Sequence, residues 1–413
     1  RLFEEPTIAG ICEVLETMKT GSSGSASVIK RVSRDGQLAL SFEQSRLWFL
    51  QQLAPESPFY NIPVAVRLTG ELDVKALEES LNFVIQRHEI LRTKFQVVDS
   101  TPVQIIASDV RLEVPVIDAS GISEEDRRAE AMEQITAEAS VPFDLTSAPL
   151  LRAKIFRLGE RDHILSLIMH HLVSDAWSMG LFVSEFAQAY EARKNGRTLV
   201  LPELALQYVD FAAWQRSQDY GESLTRQLLY CQERLQGAPD QIALITDYPR
   251  PRAQSYGGGR RTLMLSKPAT ERLNALSRSE NATLFMTLLS AFKALLHRYS
   301  GQTDLVVGAA TAGRTVPELE SIMGFFINTL VMRTEVSDSL SFRELLKRVR
   351  ETSLEAFAHR DVPFDMLVEE LRPNRETNRN PLFQVMFVLQ NAPFPAINTG
   401  NLSLEPLDVS PDF

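Results

Sequence analysis

The sequence predicts an α/β protein with two halves, and three observations support that fold class. The chain has 413 residues, of which 44% are hydrophobic and 23% are charged, as in globular proteins of about two or three domains. Short apolar runs that suit strands alternate with longer amphipathic segments that suit helices. Proline-rich stretches follow Gly196, so we place a joint at 195–215 and the halves at 39–200 and 201–413.

Apolar spacing and local start signals predict the elements of the first half. Ser123 precedes three acidic residues, which is typical of a helix start. Two apolar runs flank the polar stretch 159–162 and indicate a β-hairpin. In chain order we predict a helix at 74–90, strands at 103–106 and 112–117, a helix at 123–140, strands at 150–158 and 163–169, and a helix from Ser174 to about Tyr190.

The second half shows the same alternation. Gly301 follows a long apolar helix pattern and is placed to end that helix. In chain order we predict helices at 267–278 and 283–299, strands at 305–309 and 325–333, a helix at 341–357 and a strand at 382–390.

Charge and cysteine content argue against several classes of protein. Lys and Arg number 43 against 53 Asp and Glu, so the net charge is −10, which disfavours a nucleic-acid binder with a basic face. No apolar run reaches the roughly 18 residues of a membrane span, so we expect a soluble chain. The two cysteines, Cys12 and Cys231, are too few for a disulfide framework and indicate the cytoplasm.

The N-terminal residues look like a helix followed by a linker. Residues 1–18 carry apolar side chains at helical spacing after Pro6 and Thr7, and the Gly- and Ser-rich residues 20–27 are typical of a flexible linker. The N-terminus lacks the basic and apolar pattern of a secretory leader, and the C-terminus lacks a helix stop signal. We therefore expect a piece of a longer polypeptide, with the linker at 19–38.

His170 and His171 are the sharpest candidates for chemistry. These adjacent histidines, two of six in the chain, follow an apolar strand and precede a helix, with Asp175 four residues after His171. Either the pair is structural, or one imidazole is an acid–base catalyst, since histidine titrates near neutral pH. A metal site is disfavoured, because adjacent histidines on a strand point apart and no third ligand lies nearby.

No covalent nucleophile accompanies the two histidines. The chain has no G-x-S-x-G elbow, no catalytic cysteine setting and no phosphate-binding Walker loop. Its one glycine run, at 257–259, precedes Arg260 and Arg261 and reads as a surface turn. Direct transfer between two bound substrates is therefore the natural mechanism.

Seven segments, in order, resemble the motifs of nonribosomal peptide synthetase condensation domains, which are relatives of chloramphenicol acetyltransferase. The segment from His170 to Ser178 is similar to the family's HHxxxDG motif, with Ala176 in place of its glycine. The other six segments are Ser41–Leu50, Arg87–Phe95, Tyr208–Arg216, Met323–Arg333, His359–Asp365 and Arg379–Gln384. Residues 1–18 resemble the last helix of a peptidyl carrier domain, and the family's domain continues beyond Phe413, so the second half is incomplete.

The resemblance implies a fold of two chloramphenicol acetyltransferase-like lobes, each a mixed sheet with flanking helices, arranged as a V around a central tunnel. It implies amide bond formation between an acyl or peptidyl thioester on an upstream carrier domain and an aminoacyl thioester on a downstream carrier domain, beside an adenylation domain. The domain itself would hold no cofactor. Both substrates would arrive on the phosphopantetheine arms of the carriers, so proximity would supply much of the rate.

The resemblance also implies roles for single residues of the central motif. His171 would lie near the attacking amine, as a general base or as a group that orients the amine, and His170 would be mainly structural. Asp175 would hold the loop by pairing with an arginine, for which Arg87 is the first choice and Arg92 the second.

Further residues would support the site. Trp177 and Ser178 would pack against and cap the next helix, and the methyl group of Ala176 would narrow the tunnel or do nothing. Asn328 is a polar residue in an apolar strand, so we expect it to have a buried hydrogen-bond partner. Trp48, Phe325 and Phe326 would lie in the core or the tunnel wall, and Asn328 and Ala309 would also belong to the tunnel wall.

The subtype and the activity each have alternatives. The segments SFEQSRLWFL and HHLVSDAWSMG resemble most the subtype that joins an L-configured donor to an L-configured acceptor. A non-catalytic recruitment module is a second reading, which Ala176 favours and the intact histidines oppose. A stand-alone acyltransferase with a soluble donor is a third, and the carrier-like residues 1–18 count against it.

Overall fold

The structure of the chain, a computed structural model, describes residues 28–252, 257–371, 379–390, 398–399 and 402–409. The predicted helix at 1–18 and the Gly- and Ser-rich residues 20–27 lie outside these residues. In chain order the described helices and strands are β1 (Leu38–Ala39), α1 (Phe42–Leu53), β2 (Asn61–Gly70), α2 (Val74–Arg87), β3 (Thr93–Val98), β4 (Thr101–Ile106), β5 (Val116–Asp118), α3 (Glu124–Ala139), β6 (Leu151–Gly159), β7 (Asp162–His170), α4 (Ala176–Lys194), α5 (Tyr208–Gln215), α6 (Gln218–Leu235), α7 (Lys267–Ser279), α8 (Leu284–Ser300), β8 (Asp304–Thr311), β9 (Asn328–Glu335), α9 (Phe342–Ala358), α10 (Phe364–Leu371), β10 (Met386–Phe387), β11 (Asn398–Thr399) and β12 (Leu402–Leu407).

Several helices and strands end where the local sequence signals predicted. The Ser123 side chain accepts a hydrogen bond from the backbone of Asp126 and caps α3. Gly301 ends α8 with φ of 69°, a left-handed conformation that glycine adopts without strain. The predicted hairpin is formed by β6 and β7.

Two predicted strands are much shorter in the structure. Of 112–117, only Val116–Asp118 pairs as a strand, because the Asn82 side chain hydrogen-bonds both the N–H and the C=O of Leu112 in place of a neighbouring strand. Of 382–390, only Met386–Phe387 pairs, and the positive φ of 68° at Leu382 takes the first predicted residue out of extended backbone.

The six-stranded sheet has the order β11-β12-β2-β7-β6-β5. Its strand β12 runs antiparallel to β2, with Leu402 opposite Gly70 and Leu404 opposite Leu68. Residues 402–407, which the sequence analysis assigned to the second half, thus lie in the sheet of the first half. The other sheets have the orders β1-β4-β3 and β10-β8-β9.

Helices cover both faces of the six-stranded sheet. Leu165, Leu167 and Met169 of β7 pack in a large core with α2 and α4, whereas Ile164 packs with Ala131 and Ile135 of α3 on the opposite face. A separate core lies between β8, β9, α8 and α9. The large core also takes in Leu319, Met323 and Phe326 from the second half, so the segment between β8 and β9 is packed against the end of β7.

Candidate active site

The histidine motif occupies the turn that joins β7 to α4. The strand ends at His170, a 3-10 turn spans His171–Val173, and the helix begins at Ala176. The turn is held from outside, because the N–H of His171 donates to the carbonyl of Tyr60 at 2.8 Å and Gln44 Nε2 donates to the carbonyl of Leu172 at 3.2 Å. These two hydrogen bonds fix the backbone of the turn, so the histidine side chains project from a rigid edge of the sheet.

The His171 ring is held in one tautomer. Its Nδ1 lies 2.9 Å from the backbone oxygen of Ser174, and a carbonyl oxygen only accepts, so Nδ1 carries the proton. No described residue hydrogen-bonds Nε2, and the ring is only partly buried, with an edge contact to Phe325 at 5.2 Å between centroids. Burial lowers the pKa of His171, which keeps the ring neutral and the Nε2 lone pair available.

His170 is set differently from its neighbour. The side chain is 1% exposed and packs between the rings of Tyr60 and Phe143. Its Nδ1 accepts a hydrogen bond from the N–H of Leu172 at 3.1 Å, and burial lowers its pKa to about 3. A neutral, enclosed imidazole that braces the turn has no route to a substrate.

Asp175 is the buried anion at the centre of the site. Its carboxylate caps α4 by accepting from the N–H of Ser178 at 2.8 Å and accepts from the N–H of Phe326 at 3.2 Å. Arg314 grips it with Nη1 at 2.9 Å and Nη2 at 3.3 Å, and both side chains are 2% exposed. The predicted arginine partner exists, but it comes from the segment between β8 and β9.

Arg87 and Arg92 are therefore wrong as partners of Asp175. Arg87 binds Glu185 and the carbonyl of Pro202, and Arg92 donates to the carbonyl of Ala107 at 2.7 Å. Arg87 lies at the end of α2 and Arg92 in the turn after it.

Ser178 and Trp177 tie α4 to residues 312–327, the segment between β8 and β9. The Ser178 hydroxyl donates to the carbonyl of Gly324 at 2.8 Å and accepts from its N–H at 3.0 Å. The Trp177 indole donates to the carbonyl of Glu320 at 2.9 Å. The capping role predicted for these two residues belongs to Asp175, and their side chains bridge the two halves instead.

The alanine in place of the motif glycine causes no backbone strain. Ala176 is the first residue of α4 and is exposed, and it is not among the described residues with positive φ. Relative to glycine, alanine therefore adds only one methyl group, at the start of α4.

The predicted core or tunnel-wall residues have different places. Phe325 contacts His171, and Trp48 is half-buried against the large core. Asn328 has the buried partners that were predicted, donating to the carbonyls of Arg360 and Val362 and accepting from two N–H groups. Ala309 is 1% exposed and packs within the core of the second half.

Sequence reasoning missed the residues that close the site from the second half. Arg314, Gly324 and Tyr208 are the main ones, and the Tyr208 hydroxyl bonds both Ser41 and the carbonyl of Phe325. Gly324 has φ of 155° and a Cβ there would lie 1.9 Å from the Tyr208 ring. Tyr208 and Gly324 lie within two of the segments that resemble family motifs, although the sequence analysis assigned neither of them a role. The signal for Arg314 was its place directly after two small residues and a glycine, at 311–314.

The fold and this site together define a class of protein. Its two α/β lobes have the chloramphenicol acetyltransferase-like fold, and the central site places a neutral histidine at the end of a strand. Among the described residues, no group of three His, Cys, Asp or Glu could hold a metal ion, and no helix there is long and apolar enough to cross a membrane.

The chain belongs to the condensation domain family of nonribosomal peptide synthetases. The family model of the condensation domain matches residues 34–411. The chain is 50% identical over 391 residues to a linear gramicidin synthase protein of Brevibacillus parabrevis, a match covering 94% of this chain and 5% of that protein. It is 40% identical over 412 residues to malpibaldin synthetase of Mortierella alpina, covering 100% and 7%. The chain thus spans a small part of these relatives.

Solved structures agree with this family. The X-domain from teicoplanin biosynthesis superposes with a TM-score of 0.84 at 30% identity, covering 93% of this chain and 85% of that one. The first condensation domain of the calcium-dependent antibiotic synthetase, in complex with a substrate analogue, gives 0.77 at 22% identity, covering 91% and 85%. The second likeness supports the fold alone.

Proposed function

We propose that this domain joins a donor thioester on an upstream carrier domain to the amine of an aminoacyl thioester on a downstream carrier domain. The phosphopantetheine arms of the two carriers would enter a tunnel between the lobes from opposite sides, with an adenylation domain loading the downstream carrier. The multidomain relatives support this arrangement. The few cysteines support a cytoplasmic setting, and residues 1–18 would be the end of the upstream carrier.

The observation that carries the proposal is the position of the proton on the His171 ring. With its proton on Nδ1 and Nε2 without a partner among the described residues, the ring can accept the hydrogen bond of an incoming amine. The amine nitrogen attacks the thioester carbonyl, a C–N bond forms, and the amine gives a proton to Nε2. The C–S bond then breaks, and the proton passes to the leaving pantetheine thiolate.

Asp175, Arg314 and Ser178 are positioning residues in this scheme. They hold the start of α4, and through Ser174 the orientation of the His171 ring, against the segment that carries Phe325. Because Arg314 neutralises Asp175 in a closed pair, the carboxylate does not reach the reacting atoms. His170 supports the turn from within the core.

The test is a single-turnover transfer between a donor-loaded and an acceptor-loaded carrier, followed by the intact mass of the acceptor. We expect His171→Ala to lower the rate by about 100-fold or more, the usual contribution of a proton-transfer group. His171→Gln keeps a hydrogen-bond acceptor but takes no proton, so we expect it to fail as well. Lys347→Ala, at an exposed lysine of α9, is the control and should keep full activity.

The outcomes separate the two roles of His171. Activity retained by His171→Gln but lost by His171→Ala would mean that the ring only orients the amine. Unchanged activity of His171→Ala would contradict the proposal.

The donor and acceptor are both of L configuration in our proposal. Support comes from the segments at 41–50 and 170–180, which resemble the subtype that joins L to L. Paired transfer assays with L- and D-configured donors on the same carrier should favour the L donor, and preference for the D donor would contradict this subtype.

A recruitment module is the second candidate, because the similarity to the teicoplanin X-domain favours it. A related solved structure is a complex of that X-domain with OxyB. Carrier binding without any acyl transfer, for donors of both configurations, would support this candidate and contradict the first.

A further inference from the structure

Tyr208 touches each residue of the stretch 324–326, which faces the histidine turn. It is the first residue of α5 and is 1% exposed. Its ring packs against the Phe326 ring at 4.8 Å between centroids. A Cβ on Gly324 would lie 1.9 Å from a carbon of the same ring, so the Gly324 backbone lies directly against it. Between these two contacts, the Tyr208 hydroxyl reaches the carbonyl of Phe325.

The hydrogen bonds of the Tyr208 hydroxyl run in a fixed direction. A carbonyl oxygen only accepts, so Tyr208 donates its one proton to the carbonyl of Phe325. The Ser41 hydroxyl, 2.8 Å away, must then donate to Tyr208. Ser41 Oγ in turn accepts from the N–H of Gln44 at 3.0 Å, the cap of α1. Burial raises the pKa of Tyr208, so the phenol keeps its proton at neutral pH.

The peptide group that joins Phe325 to Phe326 is held at both ends. Its C=O accepts from Tyr208 and from no other described residue, and its N–H donates to Asp175 Oδ2 at 3.2 Å. In a planar trans peptide these two groups point in opposite directions. Loss of the Tyr208 hydroxyl would therefore leave this peptide group held at its N–H end alone.

Phe325 is the residue of this stretch that meets His171. Its ring makes an edge contact with the His171 ring at 5.2 Å between centroids and is 7% exposed. Burial is the largest influence on the pKa of His171 and lowers it, whereas the carbonyl of Ser174 and the charge of Asp175 raise it. His170, the other titratable neighbour, is neutral. Displacement of the Phe325 ring would expose the His171 ring to water and raise its pKa.

We propose that Tyr208 is a positioning residue for the transfer reaction, whose hydroxyl fixes the peptide group after Phe325 and so keeps the Phe325 ring against His171. The role in transfer rests on the proposed function, whereas the positioning rests on the contacts alone. These contacts join four of the segments that resemble family motifs, at 41–50, 170–178, 208–216 and 323–333.

Histidine NMR on the full chain tests the positioning without any catalysis. Tyr208→Phe keeps the ring and its packing but leaves the carbonyl of Phe325 without its partner. We expect the titration midpoint of the His171 ring to rise towards the ordinary histidine value of about 6.5. The spectrum of His171→Gln identifies the signal. Ser41→Ala leaves the bond from Tyr208 to Phe325 in place, so it should move the midpoint less.

Tyr190→Phe is the matched control. Tyr190 is also 1% exposed in the large core, and its hydroxyl accepts from the N–H of Asp73 at the cap of α2. It lies roughly 20 Å along α4 from Ala176, where that helix begins. Both variants should lose stability, since each loses one buried hydroxyl, but the His171 midpoint should move only in Tyr208→Phe. An unchanged midpoint in Tyr208→Phe, or an equal change in Tyr190→Phe, would overturn the inference.

A transfer assay then tests the consequence for the reaction. At saturating carrier concentrations, Tyr208→Phe should lower the single-turnover rate constant about tenfold, because an unpartnered buried carbonyl shifts a local equilibrium by about that factor. The acid limb of its pH–rate profile should move to higher pH, and the carrier concentration that gives half the maximal rate should not change, because Tyr208 is buried. Tyr190→Phe should match the unaltered protein in all three.

The two experiments fail independently. A shifted His171 midpoint with an unchanged rate constant in Tyr208→Phe would overturn the role in transfer. If the unaltered protein transfers nothing, the proposed function fails, while the midpoint still decides whether Tyr208 holds Phe325 against His171.

Discussion

At the scale of single residues, the pair Asp175 and Arg314 shows how a buried charge organises this site. The carboxylate accepts hydrogen bonds from α4, from the Phe326 backbone and from the guanidinium. Arg314 also packs over the Phe326 ring at 4.1 Å and donates to Ser178 at 2.9 Å. Each partner neutralises a charge that would be costly to bury alone.

Replacing one partner alone should lower the free energy of unfolding strongly, whereas replacing both should add little further loss. We expect Asp175→Asn and Arg314→Met each to lower the free energy of unfolding by about 3–5 kcal/mol, because each leaves a buried charge alone. The double variant should lose less than the sum of the two. Urea unfolding of all four proteins gives the coupling energy.

The pair Glu78 and Arg111 is the matched control, since Arg111 is 75% exposed. Surface pairs of this kind contribute about 0–1 kcal/mol, so Glu78→Gln and Arg111→Met should be nearly additive. Additive losses at Asp175 and Arg314 would contradict the buried pair.

At the scale of elements, α8 packs a lysine into the core beneath β9. Lys293 is 0% exposed, and its ammonium donates to the carbonyl of Met332 at 2.8 Å and to the Thr334 hydroxyl at 2.7 Å. Burial lowers its pKa to about 7. The folded chain therefore releases this proton at a lower pH than the unfolded chain, in which lysine titrates near its ordinary value of about 10.4.

The sign of the pH dependence follows from that difference. Between about pH 7 and pH 10 the unfolded state binds the extra proton, so stability rises with pH by roughly 1 kcal/mol per unit from this group. Lys293→Met should remove this slope and be as stable or more stable at pH 7. Unfolding curves at several pH values measure it, with Lys347→Met, at an exposed lysine, as the control. An equal slope in wild type and Lys293→Met would contradict the prediction.

The helices and strands also show which features can be predicted from the sequence. The helix starts at Ser123 and Thr283 were predictable because capping depends on neighbours within three residues. The arginine partner of Asp175 was not, because Arg314 lies 139 residues away and its approach depends on how the two halves pack. Leu112 shows a third case, in which a distant side chain replaces a strand that local propensity favours.

At the scale of the whole molecule, the two halves are not separable units of chain. Strand β12 returns from the second half and pairs with β2, and Leu402 is 3% exposed in the same core as Val66 and Leu167. The segment with Phe325 and Phe326 joins that core as well. The histidine turn at the end of β7 thus depends on a sheet that residues 402–407 help to complete.

Leu402→Ala should therefore weaken the first half of the protein. Truncating a buried leucine lowers the free energy of unfolding by about 2–5 kcal/mol, and here the loss should appear as faster hydrogen exchange in β2, the strand it pairs with. Ser403→Ala, at an exposed neighbour on the same strand, should leave both quantities unchanged. Unchanged exchange in β2 of Leu402→Ala would mean that β12 does not hold the sheet in solution. Faster exchange in β2 of Leu402→Ala, but not of Ser403→Ala, would show that residues 402–407 complete the sheet that bears the active histidine.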